Sequence, residues 1–374
     1  MRTTEWQQPM EGPPRGPGPA PAKPWPFLKM AIALLLLIAL GLVLLLGAQY
    51  CRTKKPISEI VPPPVGNLFD EASFKYVDSI NGLQNPMGVA VGQGGRVYVT
   101  ETGGERLIHI YNSLRQEVGS FAPPDTQPAS RVPVYVAVSP SGDVYVSDRG
   151  AASIYIFSPD GVAQGEVTAP KGFEDWHPLG LTFDKAGNLY VADVAPGKHR
   201  VLVLSATPAS TVRIDPVLEH ALPEGSILKL SFGTQGEEDG QFWFPNGIAV
   251  DEQGRIYVAD SNNGRMQAFD KDGKFLFKIN RGMSSGDLSI PRGVVVDSEN
   301  RLLITDTSRG AVQAYEISKS EDSDQSEPLK FLGAFSGSVG DGVFFLFPNG
   351  LALDGHGQIY IADRAHNRVQ VWKY

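Results

Sequence analysis

Six acidic residues recur regularly enough to act as a set. Glu101, Asp148, Asp193, Asp260, Asp306 and Asp363 follow Pro86, Pro133, Pro178, Pro245, Pro291 and Pro348 by fifteen positions each. A ring of carboxylates could hold a metal or move protons. Acid–base catalysis, however, needs unlike groups with separated pKa values, so six equivalent groups describe a structural job. Three of the acids precede an arginine by five positions, and Glu101/Arg106, Asp260/Arg265 and Asp363/Arg368 are expected to form a charged pair repeated around the molecule. Of the six histidines, only His177 stands beside one of these prolines. A zinc site needs several such ligands converging, so no metal ligand and no catalytic residue is assigned. With an acid, His177, Asn246 and Asn349 make at most a weak calcium set, which is the one cofactor alternative to none.

The prolines also mark a repeated unit. The clearest copy reads FPNGIAVDEQGRIYVADSNNGRMQAFD over 244–270, and its near twin FPNGLALDGHGQIYIADRAHNRVQVWK covers 347–373. Four further copies start at Asn85, Val132, His177 and Ile290. Each holds three short alternating apolar runs, such as Ile248–Val250, Ile256–Val258 and Met266–Phe269, which read as antiparallel strands. Turns such as Asp251-Glu252-Gln253-Gly254 join the first two, with glycine free to adopt the left-handed conformation of a tight hairpin. A fourth strand follows, as at Lys274–Ile279 and Leu329–Phe335. Four strands in 45 to 47 residues is the period of a propeller blade. Two longer periods carry insertions at Ser205–Ser226 and Ser318–Glu327, both expected to be loops. The last copy stops at Tyr374 after its third strand, and Ser73–Ile80 is a strand without a blade. Pairing the two would close the ring and remove exposed edges. An all-β, six-bladed β-propeller over 68–374 is predicted.

The motif P-x-G-hydrophobic-A-hydrophobic-D, then G-x-hydrophobic-Y-V-A-D, then R-hydrophobic-x-x-F resembles the NHL repeat of six-bladed, TolB-like propellers. The resemblance spans Phe69 to Tyr374 and implies the fold more strongly than any function. Propellers similar to this one include sensor domains of bacterial receptor kinases, which makes a bacterial, membrane-anchored binding or scaffolding module the leading expectation. Others are lactonases or amidating lyases with a metal over the channel, which sets the alternative of a metal-dependent hydrolase or lyase.

Glycines 88, 180, 247, 293 and 350 begin the innermost strands, where six backbones converge. Tyr135 replaces the glycine in the second copy and is expected to tilt that blade or fill part of the channel mouth. Binding is expected where loops of different blades meet. Arg149, Trp176, His177, Trp243, Asn246, Arg292, Asn349 and Arg364 are the candidates, because Trp and Arg supply directed, large-area contacts. Phe244 and Phe347 recur in register and are expected to pack between blades.

The chain's first quarter differs in kind. Residues 1–25 form a Pro/Gly-rich tail, and Met30–Gly47 is an uncharged run of eighteen residues. That length suits a helix crossing a hydrocarbon core. A signal-anchor helix over 26–50 is predicted, followed by a linker over 51–67, with the tail cytoplasmic and the propeller extracytoplasmic in a single-pass arrangement. Cys51 is the only cysteine, so no disulfide can form within the chain. The seven basic and two acidic residues up to Lys55, out of 33 and 41, leave 26 and 39 beyond it, a net charge of −13. So acidic a domain would repel a phosphate backbone, which disfavours nucleic acid and favours a protein, peptide or glycan partner.

Overall fold

The computed structural model describes residues 74–124, 126–167, 169–205, 211–213, 228–318, 328–337 and 344–374. The tail, the apolar segment over 26–50 and the linker over 51–67 lie outside these residues. Among the described residues no helix is long and apolar enough to cross a membrane.

Six antiparallel sheets follow one another along the chain. The first blade comprises Pro86–Val91, Val97–Glu101, Ile108–Tyr111 and Glu117–Phe121. The second begins with Pro133–Val138, Val144–Asp148, Ser153–Phe157 and Ala163–Val167. Blade three is built from Pro178–Phe183, Leu189–Asp193, Arg200–Leu204 and Leu228–Phe232, and blade four from Pro245–Val250, Ile256–Asp260, Arg265–Phe269 and Phe275–Ile279. Blade five contains Pro291–Val296, Arg301–Asp306, Ala311–Ile317 and Leu329–Phe335. Blade six takes Pro348–Leu353, Gln358–Asp363 and Arg368–Lys373 from the end of the chain. Its outermost strand is Lys75–Asn81, with Lys75 opposite Lys373 and Asn81 opposite Arg368. The predicted closure therefore forms, one residue later at its end than the sequence suggested.

Each second strand is covered on both faces by neighbouring blades, so Ile256, Tyr257, Val258 and Ala259 are all fully buried. That strand is therefore apolar on both faces, rather than alternating as expected. The core divides into six clusters, one between each pair of adjacent blades. Ile154 and Ile156 meet Leu189 and Leu202 between blades two and three, and Val89, Val97 and Val99 meet Tyr360, Val369 and Val371 between blades one and six. The last cluster closes the ring.

The first insertion departs from the expected loop. Within it Thr211–Arg213 pairs antiparallel with the outermost strand of blade two, Thr211 opposite Val167, and makes that sheet five-stranded. An unpaired outer edge offers free backbone donors and acceptors, and a nearby extended segment satisfies them. The second insertion, Ser318–Glu327, lies outside the described residues except for Ser318.

Candidate functional site

The repeated acid proves to be a clamp. In every blade its carboxylate accepts a hydrogen bond from the backbone of the loop leading into the innermost strand: from Gln84 N to Glu101 at 2.8 Å, Val132 N to Asp148 at 3.0 Å, His177 N to Asp193 at 2.7 Å, Trp243 N to Asp260 at 2.7 Å, Ser289 N to Asp306 at 2.8 Å and Leu346 N to Asp363 at 2.7 Å. The acid thus fixes the loops of the face toward which the innermost strands begin. Arg265 Nε donates to Asp260 at 2.8 Å and Arg368 Nε to Asp363 at 2.9 Å, as expected. Arg200 does the same for Asp193 at 2.8 Å. Burial raises the Asp260 pKa, against the pull of its hydrogen-bond donors.

The expected Glu101/Arg106 pair does not form. In blades four and six the arginine stands directly opposite the acid in the strand ladder. In blade one the connecting loop is longer, Glu101 N donates to Leu107 O, and Arg106 is displaced into the loop. Its Nη1 there donates to Ala129 O and Arg131 O. Glu101 instead has His109 Nε2 at 3.3 Å. A glutamine seven positions beyond the acid completes the clamp in three blades: Gln267, Gln313 and Gln370 each donate from Nε2 to the acid of their blade, at 3.2, 3.3 and 2.8 Å. The spacing of that glutamine from the acid, seven positions in three copies, was a signal present in the sequence.

Around the axis the glycines behave as the crowding argument requires. A Cβ on Gly350 would come 2.7 Å from Met87 O, and one on Gly293 2.6 Å from Asn349 O. Tyr135 fills the mouth from the second blade. It is buried, it pairs with Ser147 so that regular pairing begins one residue earlier than in the other five innermost strands, and its hydroxyl lies 3.4 Å from Asn246 Oδ1 in blade four. Burial pushes its pKa up to about 12, partly offset by the charge of Arg292. Asn246 is fully engaged: its Oδ1 also accepts from Arg292 Nη1 at 3.2 Å, while its Nδ2 donates to Ser261 Oγ at 2.8 Å and Phe244 O at 3.1 Å. Below this cluster the channel widens to a cavity of about 210 Å³, lined by Val89, Leu181, Ile248, Val294 and Leu351.

The structure brings some of the candidate residues together. Asn246, Arg292 and Tyr135 form one cluster at the mouth, and Asn349 lies buried at the same position of blade six. Arg149 places its guanidinium 5.4 Å from the Phe244 ring centre, reaching from blade two to blade four. Trp243 is 45% exposed on the same face, and Arg364 is exposed in the loop of blade six. Trp176 does not join them. It is 5% exposed and packs with Leu179 and Val194 in the core between blades two and three, so it cannot serve as an accessible contact. His177 is half-buried and directs Nδ1 at Asp175 O, 3.0 Å away.

Phe347 also departs from expectation. Rather than packing between blades it is 52% exposed, beside the exposed Leu346. Both Phe347 and Phe244 adopt left-handed backbone conformations, with φ of 57° and 64°. That is unusual for a bulky residue and is held by its surroundings. At Phe244 the backbone N–H donates to His199 Nδ1 at 3.2 Å, and burial keeps the His199 imidazole below its ordinary pKa.

Arg149, Arg292 and Arg364 have no carboxylate partner among the described residues, whereas Arg200, Arg265, Arg309 and Arg368 are held by the clamps. The face therefore combines unpaired guanidinium groups with accessible Trp243, Leu346 and Phe347. Such a surface can bury apolar area and accept carboxylates or carbonyl oxygens.

Comparison with known proteins agrees with this architecture. NHL repeats match residues 242–269, 288–315 and 345–372. The chain is similar to Protein lin-41 of Caenorhabditis elegans, 53% identical over 49 residues that make up 13% of this chain and 4% of the relative. It is similar to Protein brain tumor of Drosophila melanogaster, 40% identical over 80 residues, 21% of this chain and 7% of the relative. With the E3 ubiquitin-protein ligase TRIM71 of Mus musculus it shares 30% identity over 191 residues, 42% of this chain and 21% of the relative. The chain thus spans less than a quarter of the length of these curated relatives. Among solved structures, a streptogramin B lyase superposes with a TM-score of 0.53 at 13% identity, covering 80% of this chain and 98% of the lyase. A chain of a nidogen–laminin complex superposes with a TM-score of 0.51 at 16% identity, covering 73% and 86%. Identities this low establish a shared fold alone. The chain carries NHL repeats in a six-bladed propeller.

Proposed function

We propose that this chain is a recognition platform for a protein or peptide partner, held at a membrane by residues 26–50 with its propeller outside the cytoplasm. The partner docks on the face that carries the channel mouth. One observation carries this reading: among the described residues Arg149, Arg292 and Arg364 have no carboxylate partner, and they lie on the face that also exposes Trp243, Leu346 and Phe347. Aromatic and arginine side chains dominate binding energies because they bury large areas or make several directed bonds at small entropic cost. A partner segment that mixes acidic with apolar residues is complementary to this face.

The similarity to TRIM71 and brain tumor covers 42% and 21% of this chain and only 21% and 7% of those proteins, so the ligase activity named for one of them is not carried over. The alternative of a metal-dependent hydrolase or lyase has less support in the geometry. Asn246 Oδ1, the oxygen a calcium ion would need, already accepts from the Arg292 guanidinium, and His177 points elsewhere. The engagement of these two groups favours the binding reading.

Proximity labelling on intact cells tests the proposal. The full-length chain should label a reproducible set of proteins, and Trp243→Ala combined with Phe347→Ala should abolish most of it, as should Arg292→Gln. Leu114→Ala with Val162→Ala, in hairpins of the opposite face, should leave it unchanged. Equal labelling by all variants would refute the assignment of the face. Glycosylation of an Asn-x-Thr sequon placed in the 271–273 hairpin reports the side of the membrane directly.

A further inference from the structure

A second cavity, of about 350 Å³, lies in blade five. It is bounded by Met283, Ser285 and Ser289 of the loop leading into that blade, by Ser308 and Arg309 of the turn after its second strand, and by Ala311 and Phe331 of its outer strands. Its origin lies in the repeat. Opposite the clamping acid, blades three, four and six each place an arginine: Arg200 faces Asp193, Arg265 faces Asp260 and Arg368 faces Asp363. In blade five that ladder position, opposite Asp306, is Ala311. The guanidinium comes instead from Arg309, two residues earlier, with Nε 3.4 Å from Asp306 Oδ2 and Nη2 donating to Gly282 O at 2.8 Å. A cation still serves the acid, but the path that an arginine stem occupies in the other blades is left vacant.

The polar groups around this space are unevenly used. The acceptors are taken, since Asp306 accepts from Ser289 N, Ile290 N and Gln313 Nε2, and Asp287 O also accepts from Gln313 Nε2. The donors are not. The hydroxyls of Ser285, Ser289 and Ser308 make no hydrogen bond among the described residues, and buried Arg309 Nε has no hydrogen-bond partner. A buried donor left unpaired, as Arg309 Nε is, costs free energy that a ligand acceptor can recover, and the hydroxyls of exposed Ser285 and Ser308 and of half-buried Ser289 are free to turn toward the same acceptor. The remaining wall, Ala311, Phe331, Ala334 and the 94% exposed Met283, is apolar. A cavity of this size, mainly apolar with a few convergent polar groups, matches the small-ligand sites of other proteins.

We propose that this cavity is a binding site for a small amphipathic molecule with an apolar body and a hydrogen-bond-accepting head, a carboxylate or a carbonyl. The serine hydroxyls and Arg309 hold the head, and Phe331, Ala311 and Met283 enclose the body. Because Asp306 offsets the charge of Arg309, accepting capacity rather than negative charge is what the site selects.

Three probes of one shape test this on the full-length chain in nanodiscs, read by saturation-transfer NMR: benzoate, benzamide and benzylammonium. Benzoate and benzamide should bind and benzylammonium, which only donates, should not. Ala311→Arg restores the residue type that blades three, four and six carry opposite the acid and fills the cavity. It should weaken both binders at least tenfold while circular dichroism and the unfolding midpoint stay at wild-type values or above. Ala311→Leu fills the same space without charge and should act alike should the arginine variant misfold. Binding of benzylammonium as strong as that of benzoate, binding by no probe, or binding that survives both fillings would overturn the proposal.

Discussion

Two equivalent aspartates should respond in opposite ways to the same substitution. Asp363 is fully buried and receives Leu346 N at 2.7 Å on one oxygen; its other oxygen meets Arg368 Nε at 2.9 Å, His366 Nδ1 at 2.9 Å and Gln370 Nε2 at 2.8 Å. Asp363→Asn keeps the shape and the first bond but turns an amide nitrogen toward this cluster and removes the charge opposite the half-buried Arg368 guanidinium. Breaking a buried charged pair from one side costs about 3–5 kcal/mol. Asp148 is also fully buried, but blade two has Ser153 where the arginine belongs. Its Oδ1 accepts from Val132 N at 3.0 Å, Gly150 N at 2.7 Å and Ala151 N at 3.1 Å, and its Oδ2 has no partner. Asp148→Asn retains all three bonds, places the amide nitrogen where the unpartnered oxygen was, and removes a buried charge.

Its effect should lie within about 1 kcal/mol of zero or be stabilising, because an uncompensated buried carboxylate is costly. At about 2.1 cal/mol/K per residue, a propeller of roughly 300 residues has an unfolding entropy near 0.6 kcal/mol/K. The Asp363 variant should therefore melt about 5–8 °C lower and the Asp148 variant within about 2 °C of wild type. Calorimetry or tryptophan fluorescence, supported by urea unfolding, measures both. Equal losses at the two positions would show that the acid acts only through its backbone bonds and that the cation contributes nothing.

Two further outcomes follow from the ring itself. Tyr135 has its pKa pushed from an ordinary 10 to about 12 by burial, so the folded state holds a proton that the unfolded chain has released. That contribution is intact below pH 10 and lost as pH rises through 12, about 3 kcal/mol in all, and Tyr135→Phe should flatten that part of the alkaline stability profile. Replacing Lys75–Asn81 by a Gly/Ser linker leaves blade six without its outer strand and uncovers Trp372 and Val369. The chain should lose cooperative unfolding and aggregate, and a synthetic peptide of residues 74–81 should restore solubility; a soluble, cooperative variant without peptide would show that closure is dispensable.

Much of this architecture was legible because it is written six times. The proline-to-acid spacing located the innermost strands and the clamps, and Tyr135 in place of glycine announced the plugged mouth. The misreadings came where a copy departs from the repeat by insertion or register. The longer loop of blade one moves Arg106 out of reach of Glu101, although the count of five residues is the same as in blades four and six. Trp176 and Trp243 both precede an innermost strand by two residues, yet one is core and the other surface. Blade four supplies Phe242, buried beside them in sequence, as the core residue of its loop and leaves Trp243 free, whereas Trp176 itself takes the core position in blade three. Linear distance to a proline does not say which residue of a loop turns inward. The strand at Thr211–Arg213 was hidden for another reason: its partner belongs to a different blade, and edge pairing depends on reach rather than on pattern.

Repetition itself divides structure from function in this molecule. Where five or six copies agree, the residue answers a problem that the blades share: glycine at the crowded axis in five, acid at the loop clamp in all six, aliphatic side chains between sheets. A residue present in one copy solves no shared problem and leaves a group that the common scheme would have satisfied. Tyr135 crosses the mouth and meets Asn246 and Arg292, Ala311 empties the path of an arginine, and Ser153 leaves Asp148 without its cation. Each vacancy or surplus lies on or beneath the face that the first strands define. Selection for stability alone would remove such departures, since the consensus residue is already proven in neighbouring blades to fit its register. Their concentration on one face is what a binding surface requires and what a purely structural disc does not.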